Sequence, residues 1–147
     1  MNSHARVQRI HHLYRQLQAL REREQQALAR RLDDERDALA GLREQAAAAE
    51  RAGWDDGAVA TAGDAALWGA YMGMLRARAD AQSEVVAACG QRLEEGRRET
   101  LLAMREAKGW ETLDELTWQR IAERLQKAEQ AAADELALTR RREPAAE

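Results

Sequence analysis

Apolar residues in the first third of the chain recur at steps of three and four: Ile10, Leu13, Leu17 and Leu20, then Leu28, Leu32, Leu39 and Leu42. That spacing puts them on one helix face. The stripe weakens around Glu24, and the steps of four through Leu20, Glu24, Leu28 and Leu32 depart from a strict heptad. Ala, Leu, Arg, Glu and Gln, all strong helix formers, dominate the intervening positions. The pattern predicts an amphipathic helix over about residues 6–52 with an irregular coiled-coil seam. At 1.5 Å per residue such a helix is about 65–70 Å long, which no core of this size encloses, so it needs a partner helix.

A turn follows over about residues 53–63, where Gly53, Asp55, Asp56 and Gly57 cluster ahead of Gly63 and Asp64. Asp64 is the expected N-cap of the next helix. From Leu67 the three-four spacing resumes through Tyr71, Leu75, Val85 or Val86, Cys89, Leu93, Leu101 and Met104, and later Leu113, Leu116, Ile121, Leu125 and Leu136. Several glycines weaken this helix. A break is easiest near Gly109, where Thr112 and Glu115 stand at capping-box spacing. One long helix over about residues 64–142 is the favoured reading. The short turn makes the two helices antiparallel neighbours. The expected fold is all-α: a single domain forming a long antiparallel two-helix coiled-coil hairpin with an extended C-terminal helix. Such a chain buries its seam without a second copy, so a monomer is expected.

If the chain reverses over this turn, the N-terminus lies opposite about Glu115. The rest of the second helix then has no partner in the first. It nevertheless keeps a stripe of Trp118, Ile121, Leu125, Ala128, Ala132 and Leu136. An unpaired amphipathic helix is marginal in water and exposes apolar surface, so this stretch should fold back or bind another protein.

Composition narrows the alternatives. Lys and Arg number 23 and Asp and Glu 26, giving a net charge of −3 and no general attraction to nucleic acid or anionic lipid. No run of about twenty apolar residues is present to span a membrane, and the polar, basic start does not read as a signal peptide. A single cysteine, Cys89, excludes an intramolecular disulfide and falls on the apolar stripe as a buried thiol. Aromatics make up 4% of the chain, with no Phe, which is poor material for a deep substrate pocket. His4, His11 and His12 lack metal-binding spacing, since adjacent His11 and His12 face different sides of a helix. There is no P-loop, GxGxxG or GxSxG. No cofactor and no catalytic residue is expected, and the protein reads as a non-enzyme. The basic end, Arg140 to Arg142, suits a helix C-terminus.

Four stretches resemble a known family. The start, VQRIHHLYRQLQALREREQQALARRL, is similar to the N-terminal helix of FliJ proteins of the bacterial flagellar export apparatus. YMGMLRARADAQ (Tyr71 to Gln82) resembles the aromatic-xxx-Leu stretch that opens the family's second helix. REAKGWETL, with Lys108, Glu111 and Leu113, and AADELALTRRR, with Asp134 and Glu135 ahead of basic residues, resemble its later segments and tail. The likeness spans nearly the whole chain. It departs at the end of the first helix, which reads REQAAAAERAG where the family often carries aromatics.

The resemblance implies a soluble, cytoplasmic coiled-coil stalk, peripheral to the membrane-embedded export apparatus. It implies three kinds of partner: the hexameric export ATPase (FliI-like), the export gate protein (FlhA-like) and export chaperones. Leu42, Tyr71, Leu75, Arg78 and Gln82 align with the positions through which the family touches the gate. Tyr71 and Leu75 could equally be seam residues packing onto Leu42 and Ala46. The apolar stripe, with Trp118, Ile121, Leu125 and Leu136, is the expected ATPase contact. The related stalk of virulence injectisomes, the YscO-like protein, has the same build, and a generic dimeric coiled-coil scaffold is a third reading.

Overall fold

The computed structural model describes residues 2–54, 57 and 59–142. Its elements are two α-helices, α1 (Asn2–Trp54) and α2 (Ala62–Arg142), and the described residues contain no strand. The fold is an all-α hairpin of two long helices packed against each other. Contacts divide the chain into two units, one built from the described residues of Ala19–Leu102 and the other from those of Met1–Gln18 and Ala103–Glu147. α2 passes through Gly109 without a break. Thr112 caps nothing: its hydroxyl donates to the carbonyl of Lys108 within the helix, at 3.0 Å.

The cap of α2 is Thr61, not Asp64. The Thr61 hydroxyl accepts from the Asp64 N–H at 3.1 Å, and the Asp64 carboxylate accepts from the Thr61 N–H at 3.1 Å. This is a reciprocal capping box, with the acidic residue three positions after the cap and favourably placed against the helix dipole. The Ala65 N–H closes the first turn on the carbonyl of Thr61. Gly57, with φ of +68°, supplies the left-handed backbone of the reversal.

In the unit of Ala19–Leu102 the seam is a strict alternation of threes and fours. On α1 it runs through Arg21, Gln25, Leu28, Leu32, Glu35, Leu39, Leu42, Ala46, Ala49 and Gly53. On α2 it runs through Trp68, Met72, Leu75, Ala79, Gln82, Val86, Cys89, Leu93, Gly96 and Thr100. All are buried or half-buried. The sequence suggests an irregular first-helix seam because Arg21, Gln25 and Glu35 occupy seam positions, while Leu20 lies outside and exposed. On α2, Leu67, Tyr71, Leu101 and Met104 are exposed, and the seam passes beside them through Trp68, Met72, Thr100 and Ala103. Cys89 is buried with Leu32 and Leu93, and Leu28, Ala29 and Val86 pack around them.

Two polar residues of this seam donate to backbone carbonyls. Gln82 donates to both the backbone carbonyl (3.0 Å) and the carboxylate of Glu35. Buried Thr100 donates to Gly96 O at 2.8 Å, with Arg21 O on the other helix at 3.3 Å. Arg21 forms exposed ion pairs with Glu24 and Glu99. At the turn the Trp68 indole N–H donates to Ala49 O at 3.0 Å. Pairing of Ala49 with Trp68, Glu35 with Gln82 and Arg21 with Glu99 fixes an antiparallel register. Two close approaches set the helix spacing. A Cβ on Gly96 would stand 3.0 Å from Leu28 Cδ1, and one on Gly53 would fall on the Trp68 indole ring.

The second unit continues the alternation through His4, Val7, His11, Tyr14 and Gln18 on α1, and Ala103, Ala107, Trp110, Asp114, Thr117 and Ile121 on α2. Tyr14 stacks on Trp110, with ring centroids 5.8 Å apart and planes at 19°. Leu113 and Leu116 are exposed.

Gly53→Ala should lower the melting temperature. The Trp68 ring is held by its bond to Ala49, so it cannot yield to a new methyl without losing that bond; overpacking of this kind costs about 1–3 kcal/mol. Thr61→Ala should cost about 1 kcal/mol through loss of the cap. Thermal and denaturant unfolding followed by circular dichroism measures both. Unchanged stability in Gly53→Ala would show that the approach of Gly53 to Trp68 is not a constraint.

Candidate docking surfaces

The five residues aligned with the family's gate contacts lie in the unit of Ala19–Leu102, and the structure divides them. Leu75 is 1% exposed and belongs to the core. Gln82 is half-buried and committed to Glu35, and Leu42 is half-buried on the seam of α1. Tyr71, 46% exposed, and Arg78 each stand one residue ahead of a seam position, Met72 and Ala79, and face solvent at its flank. The presented surface is therefore Tyr71 and Arg78 at the edge of a seam that contains the other three. The four α2 residues share a broad face by spacing, but a coiled-coil seam cuts through that face.

The apolar stripe lies in the other unit. The last shielded residue of α2 is Ile121, and every residue from 122 to 142 is exposed. Trp118, Leu125 and Leu136 are 59%, 59% and 62% exposed. The stripe does not fold back on the chain.

Next to the start of this stripe is a polar cluster that sequence spacing does not announce. His4 and His11 are one heptad apart and share a seam, and Asp114 lies between them from α2. Their Nδ1 atoms stand 3.5 Å from its two carboxylate oxygens, one each. Thr117 directs its hydroxyl at the carbonyl of Asp114, 2.8 Å away, so the 3.2 Å contact between His4 Nδ1 and Thr117 Oγ1 assigns the donated proton to His4. Trp118 lies beside the His4 ring, with centroids 5.5 Å apart. Asp114 Oδ1 is buried without a hydrogen-bond donor. The signal that could have revealed the cluster is the heptad separation of His4 and His11, masked by the adjacent His12, which points outward. Among the described residues no group of three or more His, Cys, Asp or Glu is arranged to hold a metal ion.

Lys108 and Glu111 form an exposed i,i+3 ion pair at 2.7 Å. The hydrogen bond from Lys108, then its charge, holds the Glu111 carboxyl below the usual range, and the same contact raises the Lys108 ammonium. The pair is largely in water and worth little to stability. No described helix is long and apolar enough to cross a membrane.

No curated protein and no solved structure matches the chain significantly. A family model does, the one described as Flagellar FliJ protein, over residues 3–145. The match takes in both helices, the turn and the exposed stripe. The chain belongs to the FliJ family and is a non-enzymatic component of the flagellar type III export system.

Proposed function

We propose that this protein is the cytoplasmic coupling stalk of flagellar export, joining the export ATPase to the export gate and aiding delivery of chaperones and substrates. The observation that carries the reading is the apolar stripe of α2. Trp118, Leu125 and Leu136 remain in water, although the seam of the same helix is otherwise covered as far as Ile121. Exposed large apolar groups at helical spacing mark a surface that another protein covers. With Ile121 at its edge, this stripe is the ATPase contact. A helix that carries its own backbone hydrogen bonds can enter an opening between subunits of a partner while keeping its structure.

The gate contact is the flank formed by Tyr71 and Arg78, an aromatic anchor with a charged rim, with Leu42, Leu75 and Gln82 holding the helix faces behind it. The role is mechanical: docking at two surfaces lets one partner bias the state of the other, and no bond is made or broken on this chain.

Replacing Leu125 and Leu136 together with Asp should weaken binding to the export ATPase at least tenfold, since burial of each leucine is worth about 1.5–3 kcal/mol. Overall helicity should stay largely intact, because both side chains are already in solvent. Undiminished ATPase binding would remove the stripe from the interface.

Tyr71→Ala with Arg78→Ala should reduce affinity for the gate protein and leave the melting temperature in place. Leu75→Ala should do the opposite first, lowering stability by about 2–5 kcal/mol. Calorimetric titration beside thermal melts separates the two effects. Full gate affinity in the Tyr71 and Arg78 double variant would place the gate contact elsewhere.

A further inference from the structure

The apolar row Ile10, Leu13 and Leu17, conspicuous in the sequence, does not lie in the seam of its own unit, Met1–Gln18 with Ala103–Glu147. Ile10 and Leu17 each stand one residue before a seam position, His11 and Gln18, and are half-buried; Leu13 lies further out and is 61% exposed. On α2, Leu113 stands in the same relation to the seam residue Asp114, with Leu116 one turn on, and both are exposed. In an antiparallel pair, residues that flank the seam in the same phase line the same side of it. The opposite flank shows this pairing directly. Arg15, Met104 and Glu111, each one residue after a seam position, line one depression together with Lys108. One side of the unit is therefore a strip of aliphatic side chains from both helices, while the other is charged and balanced, with Lys108 paired to Glu111.

The aliphatic strip has a basic border. Arg6 lies four residues before Ile10, Arg9 four before Leu13, and Arg120 four after Leu116, so each neighbours the strip on its own helix. All three are exposed, and none forms an ion pair with a described residue. Residues 2–20 contain no Asp or Glu at all. Glu106 borders the opposite end of the strip, seven residues before Leu113, and Glu123, beyond Arg120, is followed by Arg124 and Lys127.

We propose that this side of the unit docks an acidic amphipathic helix of a partner protein. The strip offers apolar groups at helical spacing in two rows, which a third helix covers with a stripe of its own. Charge selects the occupant. Three cations with no described partner favour a helix that carries Asp or Glu beside its stripe and disfavour a basic one. A second copy of this chain lacks that character, since its exposed helix end, residues 122–142, holds five cations against four carboxylates. None of these residues is assigned above to the ATPase or the gate. Trp118 follows the seam residue Thr117 and belongs to the opposite flank.

The test uses the full chain and labelled helical peptides that share one leucine stripe and carry Glu, Gln or Lys at the remaining positions. By fluorescence anisotropy the Glu peptide should bind at least tenfold more tightly than the Gln peptide, with the difference shrinking in high salt, and the Lys peptide should bind least. Leu13→Asp with Leu116→Asp should weaken the Glu peptide at least tenfold, and Arg9→Glu with Arg120→Glu should erase its advantage over the Gln peptide. All four side chains are exposed, so circular dichroism should show the helices intact. Leu125→Asp with Leu136→Asp should leave the peptide affinity unchanged. No binding of the Glu peptide, equal affinity for all the peptides, or undiminished binding in the Leu13 and Leu116 variant would overturn the proposal. So would equal weakening in the Leu125 and Leu136 variant, which would move the contact to the terminal stripe. Sedimentation with phosphatidylglycerol vesicles that the Leu13 and Leu116 variant loses would assign the surface to a membrane, and a dimer mass that the same variant halves would assign it to a second copy; either result replaces the acidic helix.

Discussion

Shielding along both helices follows one period. On α2, every shielded residue from Trp68 to Ile121 falls on an alternation of fours and threes, apart from Gly90 and Glu111. A helix with 3.6 residues per turn keeps such a stripe against a neighbour only if the neighbour carries the same repeat. α1 does, from His4 to Gly53. The placement of small residues and the location of exposed apolar groups both depend on this shared period. A residue one position off the repeat is at the flank or in water however apolar it is, as Leu67, Leu101 and Leu113 show.

Large apolar side chains alone do not make this seam. Leu32, Leu39, Met72, Leu75 and Leu93 give one unit a buried apolar core. Between them, Gly96 and Gly53 let a leucine and a tryptophan from the facing helix approach closely. Gln82 and Thr100 bury polar atoms with their donors satisfied, Gln82 by a carbonyl across the seam and Thr100 by the Gly96 carbonyl of its own helix. A polar seam position costs stability relative to leucine, but Gln82 defines register, since a shifted pairing would strand its amide. The other unit relies on this more heavily. Its α1 contribution is His4, Val7, His11, Tyr14 and Gln18, and its closest contacts are ring stacking and the histidine–aspartate cluster.

Much of the fold is legible in the residues. The helix formers, the glycine and aspartate cluster and the lack of strand patterning are enough to specify two helices and a reversal. The capping box was visible as Thr61 and Asp64, but an aspartate next to an apolar run is the more familiar cap, which obscured the threonine three residues earlier. Seam register was the harder inference. Hydropathy weights Leu20, Leu67 and Leu101 heavily and Gly96, Thr100, Ala103 and Ala107 hardly at all, so the apolar pattern marks the true seam at Leu28, Leu32, Leu39, Leu42, Leu75, Cys89 and Leu93 but sits one residue off it at Leu20, Leu67, Tyr71, Leu101 and Met104. The same offset divides the residues proposed for the gate contact. Tyr71 and Arg78 lie on the flank, while Leu75 and Gln82, four residues after each, lie inside the seam. The terminal stripe straddles the end of the seam: Trp118 is one residue off it beside His4, Ile121 lies on it, and from residue 122 onward every described residue is exposed.

That difference bears on how a chain without catalytic groups can do work. Buried seam residues are committed to the fold, so they are poor candidates for contacts that must form and release. Exposed residues on a helix whose backbone is already fully hydrogen-bonded carry no such commitment. Trp118, Leu125 and Leu136 lose only side-chain freedom when a partner covers them, and the same holds for Tyr71 and Arg78. Covering them requires no rearrangement of the packed seam, so these contacts can be made and released while the helices persist. The coupling role proposed above needs that separation: a stalk's internal contacts must hold under load while its external ones turn over, and seam residues and exposed apolar residues are distinct along most of α2.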